Sequence, residues 1–258
     1  MPEPLNEPGP TPSDSAPGAL PGKIVYSRVL DLSRAIHPAM PVWPGDPAVQ
    51  FETTARLDQD GYVLRRFSMG EHTGTHLSAP SCFYADGPTI DAYAPESLVV
   101  PGVVIDLRQK ALEHPDYALS RRDLLEWEGR HGQVPGGSVV LARTGWGEKW
   151  DDPAEYLGEY LGQETGPGLH FPGFGIDAAR FLLEQREIAG LGIDTHGVDP
   201  GQDSSFAVNK LLLEQPRIVL ANLTALDQLP PTGTTLVIGI LRLRGGSGSP
   251  ASVIALIP

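Results

Sequence analysis

The sequence predicts an α/β domain with many strands and few helices. Three observations lead there. Apolar runs of strand length, bounded by Gly, Pro, Asn and Asp, recur along most of the chain. Only a few segments carry the i, i+3, i+4 spacing of an amphipathic helix. After residue 22 neither an internal repeat nor a convincing linker interrupts the pattern, so residues 23–258 read as a single domain.

The first 22 residues hold seven prolines and almost no bulky apolar side chain, and they read as a disordered tail, because such a segment buries too little surface to offset its ordering entropy. KIVYSRVLDLS, starting at Lys23, is the first strand-like run. MPVWPGDP (40–47) is a proline-glycine loop, and VQFETTARL and GYVLRRFSM form a hairpin around DQDG. The histidines that follow fall at a strand end or on the next loop. VVPGVVIDLR (99–108) reads as a buried strand, and Ser120 opens a helix with Asp123 at capping-box spacing. GSVVLARTG is another buried strand. IDAARFLLEQREIAG (176–190) is helical through Ile176, Ala179, Leu182, Leu183 and Ile188, and it runs into the strand LGIDTHG. FAVNKLLLEQP is a short helix stopped by Pro216. RIVLANLTAL and TLVIGILRLRGGSGSPASVIALIP close the chain with strands around a glycine-rich loop.

Composition narrows the function. Forty per cent hydrophobic and 20% charged residues are ordinary for a soluble globular protein. A formal charge of −13 argues against nucleic acid or an anionic membrane as partner, since both attract basic patches. No run approaches the roughly 20 apolar residues of a membrane span. A basic n-region before an apolar stretch is missing, so no signal peptide is expected. A lone cysteine forms no internal disulfide, which fits a reducing cytoplasm. The expected partner is a small molecule.

EHTGTHLSAPSCF (71–83) carries the chemistry. His72 and His76 lie four apart around a Gly-Thr pair, and six residues later comes Cys82. Two close histidines suggest a metal site, but a metal needs a third ligand. Cys82 is either a small hydrophobe or a nucleophile, and Ser78 either a filler or a hydrogen-bond donor to substrate. In GIDTHG, strand alternation places Asp194 and His196 on one face. Asp194 reads first as a carboxylate holding its turn, and His196 as a further acid or base, or else an exposed ring. His170, before Phe171-Pro172-Gly173, is a further pocket candidate. The Gly245–Gly248 loop invites a phosphate-binding reading, but no helix or lysine follows it.

These landmarks, in this order, resemble the cyclase family, also called kynurenine formamidase-like metal-dependent hydrolases. The family signature H-x-G-T-H-x-D-x-P-x-H here reads His72-Thr73-Gly74-Thr75-His76-Leu77-Ser78-Ala79-Pro80-Ser81-Cys82. MPVWPGDP, DGPTID, RTGWGEKW, HFPGFG, GIDTHGVD and RGGSGSPASVIAL also fall in family order. The resemblance implies a swivelling β/β/α fold around a closed or nearly closed mixed sheet with a few flanking helices. It also implies a homo-oligomer, dimer or tetramer.

In the family the two leading histidines, the aspartate and the final histidine of the signature bind zinc or manganese, with a histidine and a glutamate from farther on. Here the resemblance puts Ser78 and Cys82 at two of those positions, and Asn209 and Ala221 at the distant two. A serine hydroxyl and an amide are weak ligands and alanine offers none, so no tightly bound metal is expected. If one is held, its ligands are His72, His76 and Cys82.

The leading expectation is therefore a cyclase-family enzyme that performs ring-forming or lyase-type acid/base catalysis on a small carbonyl metabolite without the usual metal pair. His72 and His76 are its catalytic residues, and Ser78, Cys82, His170, Asp194, His196 and Asn209 line its pocket. Two alternatives stay open. One is a metal-dependent hydrolase of a cyclic or N-formyl amide, similar to an arylformamidase; the other is a catalytically silent ligand-binding homologue.

Overall fold

The computed structural model describes residues 23–159 and 168–258, so the expectation for residues 1–22 lies outside the described residues. The strands are β1 (Arg28–Asp31), β2 (Gln50–Ala55), β3 (Leu64–Ser68), β4 (His76–Ser78), β5 (Val99–Asp106), β6 (Ala118–Leu119), β7 (Val139–Arg143), β8 (Gly173–Phe174), β9 (Gly190–Ile193), β10 (Ile218–Ala221), β11 (Thr234–Ile240) and β12 (Gly248–Ile257). The helices are α1 (Leu57–Asp60), α2 (Arg108–Glu113), α3 (Arg121–His131), α4 (Pro153–Tyr156), α5 (Ile176–Arg186) and α6 (Ala207–Leu213).

Eight strands form one mixed sheet in the order β1-β12-β11-β5-β7-β9-β10-β4. β4 pairs back onto β12, so seven of them close into a ring and β1 hangs on the outer edge of β12. The α/β class and the closed mixed sheet follow the expectation. β5, β7, β9 and β10 run parallel, and the other pairings of this sheet are antiparallel.

The parallel strands are apolar on both faces because both faces are covered. Val139, Leu141, Ile218 and Leu220 point into the ring, where they meet Leu77, Leu236 and Val253. Their neighbours Val140, Ala142, Leu191 and Val219 point outward onto α3, α5 and α6 through Leu124, Trp127, Leu182 and Leu212. The alternation is the strand period of two read against two different cores. β9 and β10 approach so closely that a Cβ on Gly190 would sit 1.9 Å from the Ile218 carbonyl oxygen, so only glycine fits there.

β2 and β3 form the expected hairpin as a separate two-stranded sheet, with α1 between them. Leu57, Tyr62, Val63, Leu64 and Phe67 on it are exposed. A third cluster, of Met40, Val49, Trp146, Trp150, Tyr156 and Phe171, fills the space between the hairpin's base and the ring, with Trp43 packed against it. No helix among the described residues is long and apolar enough to cross a membrane.

Candidate active site

The signature segment threads the ring itself. β4 pairs with β10 on one side, Leu77 opposite Leu220 and His76 opposite Ala221, and with β12 on the other, Ser78 opposite Gly248. Two-sided pairing fixes a strand of only three residues. Beside it opens a cavity of about 230 Å³ lined by Trp43, His72, His76, Ser78, Cys82, Phe83, Phe171, His196, Asp199, Phe206, Asn209 and Ala221. Of the residues expected in the pocket, His72, His76, Ser78, Cys82, His196 and Asn209 are brought together there.

His170 and Asp194 are not among the lining residues. His170 is buried, with Nδ1 2.7 Å from Asp116 Oδ2 and Gln202 beside its ring. Asp194 accepts from the Thr144 hydroxyl at 2.6 Å and from the Thr144 and Gly145 backbone N–H groups, so it holds the turn after β7. Burial pushes the Asp194 carboxyl up, and those donors pull it back. Asp194 and His196 do not share a face, because β9 ends at Ile193 and the chain bends before either side chain is placed. His196 is not exposed, as one reading had it, but buried, stacked on Trp43 with ring centroids 5.4 Å apart and 5° between planes. Cys82 is exposed rather than a buried hydrophobe, and its thiol, 3.8 Å from His72 Nε2, is pushed up by the burial it has.

Asn222 organises two of the imidazoles. Its side-chain N–H donates to the Gly74 carbonyl at 2.7 Å, and its Oδ1 accepts from Tyr156 at 2.8 Å and from His196 Nδ1 at 3.1 Å. His76 Nδ1 donates to the same Gly74 carbonyl at 2.9 Å. With both Nδ1 atoms donating, each ring keeps its Nε2 lone pair as acceptor. Burial drives His76 down to about 3 and His196 down to about 4, and lowers His72 as well, so all three are neutral at pH 7. Asn222 and Phe206 hold φ of 56° and 54°, a backbone region that is costly for a non-glycine residue and concentrates at functional sites.

His72 has a different setting. Its Nε2 lies 3.1 Å from Ser247 Oγ and its Nδ1 3.3 Å from Ser78 Oγ. Ser247 in turn donates its hydroxyl, at 2.7 Å, and its backbone N–H to Glu71 Oε2. Asp199 faces the cavity but is held by the Val208 and Asn209 backbone N–H groups and by the Asn209 amide at 2.6 Å.

A divalent cation does not fit this donor set. Among the described residues no group of three or more His, Cys, Asp or Glu is arranged to hold one. The signature's carboxylate position holds the Ser78 hydroxyl, the Ala221 side chain has no donor atom, and Asn209, whose amide N–H donates to Asp199, offers only a neutral amide oxygen, a weak ligand. Both His72 nitrogens already lie against hydroxyls, Ser247 on one side and Ser78 on the other.

Trp43, Phe206, Asn222, Glu71 and Ser247 had no role assigned from the sequence. Trp43, Glu71, Asn222 and Ser247 lie inside the segments MPVWPGDP, EHTGTH, LANLTAL and GGSGSP, but nothing local says which side chain of a loop turns inward.

The closed mixed sheet, the helices on its outer face and the histidine pair at the start of and just before β4 define a cyclase-type enzyme fold. The model of the putative cyclase family matches residues 30–200, and the chain belongs to that family. It is 33% identical over 248 residues, 89% of this chain and 92% of the relative, to an isatin hydrolase of Roseibium aggregatum. It is 27% identical over 231 residues, 88% and 96% of the two chains, to a kynurenine formamidase of Salinibacter ruber. Isatin hydrolase A from Ralstonia solanacearum superposes with a TM-score of 0.83 at 34% identity, covering 90% of this chain and 92% of that one. The relatives named here are hydrolases of small carbonyl compounds, whereas the leading expectation was ring formation or elimination.

Proposed function

We propose that this cyclase-family enzyme hydrolyses a cyclic or N-formyl amide carried on a small flat ring. The observation that carries the reading is the cavity itself, in which Trp43, Phe83, Phe171 and Phe206 surround neutral imidazoles. Aromatic faces bind planar rings, and His72, only partly buried where His76 and His196 are buried outright, is the imidazole placed to take and return a proton. The reaction needs that exchange: oxygen adds to the carbonyl carbon, the carbon–nitrogen bond breaks, and the leaving nitrogen gains a proton. The hydrolase names of the relatives support this over ring closure.

A second reading, metal-free cyclisation or elimination on the same scaffold, is favoured by one observation. The signature carboxylate is a serine, so the family's usual way of activating water is weakened here. The test is a product assay on a panel of cyclic aryl amides and N-formyl arylamines, with and without chelator and with added zinc or manganese. Hydrolysis that survives chelator is expected. Turnover of no panel member, with ring closure or elimination found in a wider screen, promotes the second reading; activity abolished by chelator shows that a metal is used after all.

A further inference from the structure

We propose that Ser78 is the nucleophile of this site, activated by His72 in a relay that runs from Ser78 through His72 and Ser247 to Glu71. The proposal rests on the hydrolase reading and supplies what that reading lacks, a way to attack an amide without a metal-bound water.

The direction of each hydrogen bond fixes the relay. Ser247 gives its hydroxyl proton to Glu71 Oε2 at 2.7 Å, so toward His72 its oxygen accepts. The proton on that contact therefore belongs to His72 Nε2, 3.1 Å away. A neutral imidazole carries one proton, so Nδ1 holds a lone pair, and the group that faces it among the described residues is the Ser78 hydroxyl at 3.3 Å. Ser78 Oγ–H then donates to His72 Nδ1, which is the nucleophile–base contact, and the carboxylate of Glu71 steadies the far side of the ring through Ser247.

The placement is rigid. The backbone of Ser78 is paired opposite Gly248, and its carbonyl accepts from the Tyr93 hydroxyl at 3.3 Å. A Cβ on Gly248 would come within 2.5 Å of His72 Cε1, and one on Gly246 within 3.0 Å of Glu71 Oε1, so the glycine loop is shaped around the relay. Ser78 is buried yet lines the cavity. Cys82 is not an equivalent nucleophile, because its sulfur faces Nε2, the nitrogen that already carries the proton.

The chemistry balances. Ser78 Oγ forms a bond to the carbonyl carbon while its proton passes to His72 Nδ1. The carbon–nitrogen bond then breaks, and that proton moves from Nδ1 to the leaving nitrogen. Water, deprotonated by His72, then bonds to the carbonyl carbon of the acyl-serine; the bond from that carbon to Ser78 Oγ breaks, the water oxygen stays on the acid product, and the proton returns from His72 Nδ1 to Ser78 Oγ.

The test is covalent trapping on the full chain. Wild-type protein is treated with a fluorophosphonate, and separately with p-nitrophenyl acetate under acid quench, and the adduct is located by peptide fragmentation. The expected result is a single adduct on Ser78 that disappears in His72→Gln. Ser78→Ala should lower amide turnover at least about 10²-fold with an unchanged melting temperature. An adduct on Cys82, no adduct with either reagent, or a smaller loss in Ser78→Ala overturns the proposal; should that variant misfold, adduct mapping on the wild type decides. The two readings separate cleanly. A Ser78 adduct on a protein that hydrolyses no amide defeats the hydrolase reading alone. Amide hydrolysis without any adduct defeats the serine nucleophile alone.

Discussion

His72 shows how much one side chain's neighbours decide. Its sequence context is that of a metal ligand, yet both its nitrogens are taken by hydroxyls, Ser78 on one side and Ser247 on the other. His76 keeps its Nε2 lone pair, but no carboxylate stands in the signature beside it to favour a cation. Restoring the missing donors tests this directly. Ser78→Asp with Cys82→His adds a carboxylate and an imidazole to two imidazoles, and should tighten zinc or manganese binding by at least about tenfold. Metal content after dialysis and a calorimetric titration read it out. Unchanged affinity would mean that the four positions do not converge on one point. His72 and His76 were legible as a pair from their spacing; the Ser247 partner, 175 residues from His72, was not.

At the scale of elements, local signals worked where they were self-contained. Ser120 and Asp123 announce a capping box, and α3 has one: the Asp123 carboxylate accepts from the Ser120 backbone N–H at 2.7 Å, and the Ser120 hydroxyl accepts from the Asp123 N–H at 3.3 Å. Lys110 and Tyr117 also bind Asp123, tying α2 and the chain before β6 to the helix start. Ser120→Ala should cost about 1 kcal/mol and lower the melting temperature by about 2–4 °C, leaving turnover unaltered because the cavity lies elsewhere. Thermal denaturation settles it, and a change under half a degree would mean that the cap contributes nothing. The short elements β4, β6 and β8 escaped notice for a physical reason. Each is two or three residues long and exists only because partners on other segments supply its hydrogen bonds. Alternation failed at Asp194 and His196 because it holds only inside a strand.

Across the whole molecule, buried neutral histidines couple folding to pH. His76 sits near 3 and His196 near 4 in the fold, against 6.5 for an unperturbed ring. Between those values and about 6.5, the unfolded chain takes up protons that the folded chain refuses, so stability is full above that pH and falls as pH drops. Each ring contributes a slope of up to about 1.4 kcal/mol per pH unit in that window. Asp194 and Asp199, raised by burial, act with the opposite sign just above 3.8, where the folded state holds the protons. Comparing wild type with His196→Gln by denaturant melts from pH 7 to pH 5 removes that background. The variant should lose the His196 share of the slope, up to about 1.4 kcal/mol per pH unit below about 6.5, and parallel curves would show that His196 titrates in the fold as it does in the unfolded chain.

What the sequence determined by itself was whatever depends on neighbours along the chain. The strand-rich α/β class, the helix opening at Ser120, the helix expected over 176–190, which the structure ends at Arg186 with Glu187 in the left-handed region, and the histidine pair on one segment are all of that kind. Tertiary structure decided what depends on distant partners. Closure of the ring through β4 and β12 brings Ser247 against both His72 and Glu71, and Asn222 against His196 and the Gly74 carbonyl that His76 also binds. It turns Asp194 away from the cavity and His196 into it. A histidine's tautomer and basicity are set by the groups within a few ångströms of its two nitrogens; Ser78 and Gly74 lie close by in the chain, but Asn222 reaches His196 across 26 residues and Ser247 reaches His72 across 175.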